Sequence, residues 1–580
     1  MDALLLILVT FFGYLAVYHT YGRFLGRKVF GLDRNAEVPS RTQQDGIDFV
    51  PTRKGIIFGH HYTSIAGTGP IVGPAIGIIW GWVPALLWVF LGAVIMGGVH
   101  DLGSLVISLR NQGKTLTEVT SRYINRRVRL IFFLIMFLEL WIVIAIFGLV
   151  IALIFNMFPS AVLPVWLQIP IAVGAGLLMY RTTASIVLST AAAVAAMYLT
   201  IWLGTLLPVS FESVAGIPAT GAWTILLLIY AFIASTLPVT VLLQPRDYIN
   251  AWQLFISMGL LALGALVASG VGGMHIVAPA FNPGASGAPP LWPFLFITIA
   301  CGAVSGFHCI VSSGTSSKQI SCEPDALFVG YGSMLFESAL AVLVLVAVSA
   351  GIGLGYVGED GVMLTGSTAW QYHYHSWGAA QGLASKIDAV VVGSANMMNA
   401  IGIPPPIGKA IMGVFIASFA GTTLDTATRT QRYILSELFS ELRLQKISGR
   451  YVTTGIAVVT AAALAFASGA NGTGALALWP MFGAVNQLLA ALALLLITIY
   501  LRGRGGLSYL VSGLPCAFML LMTTWAMLLN EWIFLTQRQY LLAAINAFTL
   551  VLAVWMVVEA AGKILRPVDR SDSAGVAVNV

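Results

Sequence analysis

Long uninterrupted runs of apolar residues recur along the chain, and they constrain its fold more than any other feature. Four of them lie at 82–99, 130–155, 184–207 and 327–348. About 20 apolar residues cross the hydrocarbon layer of a bilayer as a helix. Only 9% of the residues are charged and 58% are hydrophobic, whereas roughly a quarter of a soluble domain is charged. The sequence therefore predicts an all-α polytopic membrane protein with no soluble domain.

The apolar runs predict about fifteen transmembrane helices. The segment 380–406 is predicted to be re-entrant or interfacial, or to add two spans, because its apolar stretch is short and three prolines follow it. The first run lacks a preceding basic segment and a cleavage site, so it is expected to be retained. The predicted limits are 3–21, 55–80, 82–109, 130–157, 164–180, 184–207, 222–243, 250–272, 291–315, 327–356, 407–427, 451–469, 473–500, 507–528 and 541–565.

The distribution of lysine and arginine predicts an orientation. With the N-terminus outside, 26 of the 29 basic residues fall on the cytoplasmic side, and only Lys386, Lys409 and Arg538 remain outside. We therefore predict that the N-terminus lies outside and the C-terminus inside, and that the C-terminal tail after Pro567 is disordered. The net charge of +6 is explained by this bias, so no nucleic-acid partner is expected.

One predicted span, 55–80, is interrupted halfway by glycine, proline and polar residues. Unpaired backbone groups are tolerated in a bilayer only beside protein or a water-filled cavity, so a break indicates a site. Thr68 or Gly69 can cap a new half-helix whose free N–H groups would bind a carboxylate. Close helix packing is the alternative explanation. The predicted substrate-binding residues here are His60, His61, Thr63, Ser64, Gly67, Thr68 and Gly69.

The span 291–315 contains a second stretch of this kind, which begins at Cys301 and runs to Lys318. Gly314 and Thr315 follow His308 at the same spacing as Gly67 and Thr68 follow His61. We therefore expect half-helix N–H groups near Ser312–Ser316. The predicted substrate-binding residues are His308, Ser312, Ser313, Gly314, Thr315 and Ser316.

The two interrupted spans cross the membrane in opposite directions, as the first helices of an inverted repeat must. This predicts a five-plus-five repeat with additional peripheral helices. The predicted units are 1–54 (first span and loop), 55–207 (repeat one), 208–290 (two inserted spans), 291–500 (repeat two) and 501–580 (two spans and a cytoplasmic tail).

The span 407–427 is predicted to be the third helix of the second repeat, and its threonines provide hard oxygen ligands suited to a sodium ion.

Ionisable residues inside apolar runs are expensive in lipid and are candidates to carry a proton. For Asp101 and Asp425 the alternative is pairing with Arg110 and Arg429 among the headgroups. His60, His61 and His308 either titrate near neutral pH and couple transport to protons, or are merely hydrogen-bonded. The predicted ion-coupling residues are Thr422, Thr423, Asp425, Asp101, Glu139 and Glu337.

Other reactive residues predict no metal site or catalytic site. The four cysteines, Cys301, Cys309, Cys322 and Cys516, have no paired spacing and are expected to be buried apolar side chains. His373 and His375 lack a nearby third ligand, so a solvated loop is favoured over a metal site. We expect no enzyme, because no nucleophile with its base is evident.

Several motifs, in the same order along the chain, resemble the carbon starvation protein A family of transporters. The resemblance implies a prokaryotic inner-membrane transporter of peptides or pyruvate, in the amino acid–polyamine–cation superfamily with a LeuT-like core. The chain is shorter than the longer family members. The matching segments are Gly59–Pro74, Gln244–Tyr248, Ser305–Thr315, Gly421–Arg429 and Trp479–Gln487.

The residues and the resemblance together predict a secondary active transporter that takes up a small carboxylate-bearing metabolite, a peptide, pyruvate or an amino acid, by ion-coupled alternating access. The coupling ion is Na⁺ or H⁺, no cofactor is expected, and the bilayer and the substrate are the predicted partners. A channel or a nutrient sensor that binds the same solute without transporting it is the alternative.

Overall fold

The computed structural model describes residues 3–181, 185–270, 273–358, 360–380 and 382–565, and these are almost entirely helical. The tail beyond Pro567 lies outside the described residues. The α-helices are α1 (Ala3–Val17), α2 (Pro39–Thr42), α3 (Lys54–Ala66), α4 (Gly69–Gly77), α5 (Trp82–Gly92), α6 (Gly98–Arg110), α7 (Leu116–Tyr123), α8 (Arg126–Met157), α9 (Val162–Arg181), α10 (Ile186–Leu206), α11 (Ala219–Thr236), α12 (Leu243–Gly270), α13 (Leu291–Thr298), α14 (Gly306–Gly314), α15 (Ser333–Ser349), α16 (Gly366–Tyr374), α17 (Trp377–Ala380), α18 (Leu383–Asn399), α19 (Pro405–Glu441), α20 (Arg450–Ala465), α21 (Trp479–Gly503), α22 (Leu510–Thr536) and α23 (Tyr540–Leu565).

Two short antiparallel hairpins are the only strands in the described part of the chain. Strand β1 (Ser213–Val214) pairs with β2 (Ile217–Pro218), and β3 (Tyr356–Val357) pairs with β4 (Met363–Leu364). Both hairpins connect helices, and none of their strand residues is fully buried.

Twelve helical segments among the described residues are long and apolar enough to cross a membrane, or thirteen if the bent pair α3–α4 counts as one span. The polytopic helical fold predicted from the apolar runs is therefore confirmed. The predicted spans 291–315 and 451–469 correspond to the interrupted pair α13–α14 and to the 16-residue helix α20.

Helix α19 is longer than its apolar run suggested. The prediction ended this span at 427, but the helix continues to Glu441. Residues Thr428 to Arg432 are polar yet buried, because their partners lie within the protein. Hydropathy registers the polarity of these side chains but cannot register such partners, so the predicted boundary was wrong.

The segment between α15 and α19 is also more ordered than expected. Residues predicted to form a solvated loop around His373 lie in α16, where Trp370, His373 and Tyr374 are buried. The Tyr374 hydroxyl donates to the carbonyl of Ala75 in α4 at 2.5 Å. The sequence after α16 continues into α18, a 17-residue helix that is mostly buried.

Helices α3 and α14 lie antiparallel at the centre of the bundle. Thr52, just before α3, forms a bridge with Ile320, just after α14. At the opposite end, Gly69 lies directly against the side chain of Cys301. Helix α19 packs along α8 and also contacts α3 and α14. This arrangement brings the interruptions of both predicted spans to the same level.

Candidate functional site

The first interruption lies where the sequence predicted it. Helix α3 ends at Ala66, Gly67 adopts φ +40°, and the axis bends by 41° before α4 continues. A Cβ atom at Gly67 would lie 2.7 Å from Thr423 Oγ1 and 3.0 Å from the Phe147 ring. The position therefore requires glycine both for its backbone conformation and for space.

The second interruption lies elsewhere than predicted. The non-helical residues are 299–305, upstream of His308, whereas Ser312 and Ser313 lie within α14 and Gly314 ends it. The expected N–H groups near Ser312–Ser316 are therefore at the wrong end of the helix. The Glu337 carboxylate supports the actual break by accepting from Gly302 N at 3.0 Å.

A buried polar chain begins beside this second break. Asp101 Oδ1 lies 2.8 Å from His100 Nδ1, and Asp101 Oδ2 lies 2.9 Å from His308 Nδ1. The other ring nitrogen of His308 lies 3.1 Å from Glu337 Oε2. All four side chains are fully buried. Asp101 is therefore not paired with Arg110 among headgroups, and Arg110 instead contacts Glu323 at 2.7 Å.

A second buried network surrounds Asp247 on α12. Its carboxylate lies 2.6 Å from His60 Nδ1 and 3.1 Å from Arg246 Nη2. The Arg246 guanidinium also contacts Asp425, whose carboxylate accepts from Tyr230 at 3.0 Å. The alternative considered for Asp425, pairing with Arg429, is therefore wrong. Arg246 itself is buried in the first turn of α12, although its charge had suggested a cytoplasmic loop.

The threonines predicted to be sodium ligands contact other protein groups. Thr422 Oγ1 donates to Asp247 Oδ1 and accepts from Arg246 Nη2, both at 3.1 Å. Thr423 Oγ1 donates to the carbonyl of Ser64 at 3.1 Å, and Ser64 Oγ lies 3.1 Å from Thr426 Oγ1. The Thr422 bonds join α19 to α12, and those of Thr423 and Thr426 join α19 to α3. The Arg246 guanidinium lies beside Thr422 and Asp425.

The remaining predicted residues fall into two groups. His61 Nδ1 lies 2.7 Å from Ser316 Oγ, which links α3 to the end of α14. The Thr63 and Ser313 hydroxyls donate to carbonyls of their own helices, and the Thr315 hydroxyl, just after α14, donates to the carbonyl of Val311. By contrast, several fully buried polar atoms have no hydrogen-bond partner among the described residues: His61 Nε2, Ser312 Oγ, and both carboxylate oxygens of Glu139.

A cavity of about 550 Å³ leads to the two breaks. Gly69 and Cys301 lie in its wall, together with Gly287 and Gln537 from segments that connect helices and Trp377 at the start of the short helix α17. Trp479, Phe482 and Phe534 contribute aromatic surface, and no charged side chain from the described residues lines it.

At the end of α3 away from the break, charge holds the preceding segment to α19. Asp48, in the segment before α3, contacts Arg429 at 2.7 Å and Arg432 at 3.3 Å. Arg429 also donates to the carbonyls of Ala234 and Leu237. Burial opposes ionisation of Asp48, but the two guanidinium groups, together with the Lys318 ammonium and the Tyr433 hydroxyl, outweigh it and hold the pKa of the Asp48 carboxyl below its ordinary value. We call Asp48, Arg429 and Arg432 the inner latch.

The cysteines agree with the prediction except at one position. All four thiols are free, and Cys301, Cys309 and Cys516 are buried, whereas Cys322 is only half-buried. Cys322 lies in the short turn that follows Ile320, and its side chain is therefore partly exposed.

Comparison with known proteins decides the family. The sequence profile described as carbon starvation protein CstA matches residues 2–526. The chain belongs to the CstA family. Among CstA relatives, the pyruvate/proton symporter BtsT of Escherichia coli is 31% identical over 91% of this chain and 81% of its own length. The peptide transporter CstA of Bacillus subtilis is 31% identical, over 88% of this chain and 87% of its own length.

The peptide transporter CstA of Campylobacter jejuni is likewise 31% identical, over 88% of this chain and 78% of its own length. Among solved structures, MhsT in complex with L-phenylalanine aligns with 88% of this chain and 98% of its own at a TM-score of 0.45 and 11% identity. A manganese transporter mutant from Eremococcus coleocola aligns over 90% and 99% at a TM-score of 0.36 and 12% identity. As a CstA family member the chain is a transporter and not an enzyme, and nothing found favours a channel or sensor.

Proposed function

We propose that the chain takes up a small carboxylate-bearing metabolite by proton-coupled alternating access. The observation that carries this proposal is the placement of two helix breaks at the base of one cavity, with the inner latch on their far side. A carrier needs a central site reached from one side at a time. The open cavity and the paired inner ends correspond to an outward-facing state.

The substrate class is a peptide or pyruvate. The relatives named as peptide transporters and as a pyruvate/proton symporter support this choice. We place the substrate carboxylate at the start of α4, near Gly67, Thr68 and Gly69, where a bent helix begins with Pro70 in its first turn. The start of α14 is a weaker candidate, because Asn486 Oδ1 already accepts from Phe307 N at 2.9 Å.

The coupling ion is a proton rather than sodium. A sodium ion at Thr422 would require oxygen ligands that are free to bind it, but the Arg246 guanidinium already contacts Thr422 and Asp425. A second cation beside this one would be repelled. Glu139, buried without a hydrogen-bond partner in the described chain, is the proton carrier best supported by its surroundings. Asp101 and Glu337 remain candidates through their chain with His308.

The architecture we propose is fifteen spans with a five-plus-five repeat. Helices α8 and α19, the third spans of the two units, pack along each other in the centre, as corresponding helices of an inverted repeat can. The repeats are 55–207 and 291–500, the inserted spans occupy 208–290, and 1–54 and 501–580 are peripheral. The charge bias supports an outer N-terminus and an inner C-terminus in the inner membrane.

Purified protein in liposomes tests this function. Pyruvate, a dipeptide and an amino acid are offered under a proton gradient, a sodium gradient or neither. We expect uptake under the proton gradient only, with stimulation by unlabelled substrate on the opposite side, which a channel does not show. Absence of uptake for all three substrates would refute the proposal.

Gly67→Ala is the sharpest variant for this assay, because the new Cβ meets Thr423 and Phe147 at a residue with φ +40°. We expect it to abolish uptake while the protein still inserts. Gly259→Ala is the matched control, since no atom outside its own helix lies within 4 Å of the added carbon.

A further inference from the structure

Three side chains of different chemistry converge below the cavity. Cys301 lies in the second break, His308 lies in α14, and Glu337 lies in α15. One ligand atom from each, a sulfur, a nitrogen and an oxygen, lies within 4.8 Å of the others. The side chains of His308 and Glu337 are fully buried, and Cys301 is 8% exposed. Their separation is close to what a single bound ion requires.

The donor set selects a class of cation. A thiolate with an imidazole is typical of Zn²⁺ and similar metals, while Mg²⁺ and Ca²⁺ prefer oxygen ligands alone. Zinc sites with three protein ligands keep a fourth position open for water or another molecule. Here the fourth position would face the cavity, because Cys301 lines its wall.

Hydrogen bonds with surrounding groups orient the three candidate ligands, as they do for the ligands of known metal sites. Asp101 Oδ2 lies 2.9 Å from His308 Nδ1, which directs the other ring nitrogen toward Glu337. Metal-binding histidines are commonly held in this way by a carboxylate. Gly302 N donates to Glu337 Oε1 at 3.0 Å and leaves Oε2 available. Ser305 Oγ lies 3.4 Å from the Cys301 sulfur.

We propose that Cys301, His308 and Glu337 form an inhibitory binding site for a soft divalent cation such as Zn²⁺, reached through the cavity. The three ligands come from the break, from α14 and from α15. An ion held by all three would fix the break to α15, and a carrier whose break cannot rearrange stops turning over. The binding of metal stands independently of transport, and only its inhibitory effect rests on the proposed function.

Metal binding is measured first, on purified protein in detergent, by equilibrium dialysis with Zn²⁺ and by absorption spectroscopy with Co²⁺. We expect one Zn²⁺ per chain and a thiolate-to-cobalt charge-transfer band. Cys301→Ser should remove the band, and Asp101→Asn should weaken Zn²⁺ binding by roughly ten- to a hundredfold. Cys516→Ser, which changes a buried thiol in α22, is the matched control and should bind as the unmodified protein does.

A Cys301→Ser protein that is folded and binds Zn²⁺ as tightly as the unmodified protein would overturn the proposal. If that variant does not fold, alkylation of the unmodified protein decides the question. Zn²⁺ should protect the peptide containing Cys301 from modification, and equal modification with and without Zn²⁺ would overturn the proposal. In liposomes, outside Zn²⁺ should block uptake by the unmodified protein and spare Cys301→Ser. If neither protein takes up substrate while the unmodified protein still binds Zn²⁺, the transport function is refuted and the metal site stands.

Discussion

The guanidinium of Arg246 is paired with the carboxylate of Asp425, and it lies against the threonine that the sequence suggested as a sodium ligand. The protein's own cation thus fills a position that a coupling cation would need. The same guanidinium contacts Asp247, which in turn contacts His60 in α3. One buried arginine therefore connects α12, α19 and the first broken helix.

Substitution of Arg246 should destabilise the protein strongly. Arg246→Gln leaves the buried carboxylates of Asp425 and Asp247 without their cation, and loss of one partner of a buried pair costs roughly 3–5 kcal/mol. We expect a clear decrease in the thermal unfolding temperature in detergent. The exposed residue Arg538 provides the control Arg538→Gln, which should leave that temperature unchanged. Equal behaviour of the two variants would mean that the Arg246 network contributes nothing.

Glu139→Gln should separate coupling from stability. The carboxylate has no hydrogen-bond partner among the described residues, so the amide removes a titratable group without breaking a bond. We expect stability to change by less than about 1 kcal/mol, uptake driven by a proton gradient to be lost, and exchange of labelled for unlabelled substrate to persist. Glu212→Gln, at an exposed position, should retain all three properties. Normal gradient-driven uptake by Glu139→Gln would exclude this residue as the proton carrier.

The inner latch should respond to acid. The pKa of Asp48 is lower in the folded protein than its ordinary value of 3.8, so its pairing stabilises the fold at pH values above that figure. The stabilisation is lost as the pH falls through the lower, folded-state pKa. We expect Asp48→Asn to be less stable than the unmodified protein at pH 7, and the difference to shrink below about pH 4.

A double-mutant comparison provides the control for the latch. Arg429 contacts Asp48 directly, so the effects of Asp48→Asn and Arg429→Gln at pH 7 should not add in the doubly substituted protein. Additive effects would show that the contact does not stabilise the fold.

The first break was predictable from the sequence and the second was not, for a physical reason. Gly67 and Pro70 interrupt a helix through local chemistry alone, which a sequence displays. The break at 299–305 contains no proline, and Glu337 from another helix supports it. A stretch of glycine and hydroxyl residues indicated the correct span, but only the packed structure shows which end of that stretch unwinds.

The partners of the buried charges could not be predicted from the sequence either. The sequence identified Asp101 and Asp425 as costly in lipid, and the nearest cations along the chain, Arg110 and Arg429, were the natural candidates. The actual partners are His308 and Arg246, which are distant in sequence and adjacent only in the fold. Periodicity defines helices well because it is local, whereas pairing across a bundle depends on contacts that no single segment encodes.

The bridge between Thr52 and Ile320 has a mechanical consequence. It fastens the start of α3 to the end of α14 through backbone groups, and Thr52 N donates to the carbonyl of Gln319 at 2.9 Å. Because these contacts are between backbone groups, substitution of a side chain does not remove them. The two half-helices should therefore swing as one rigid arm, and the side that we propose to be cytoplasmic should open in a single concerted step with no half-open intermediate.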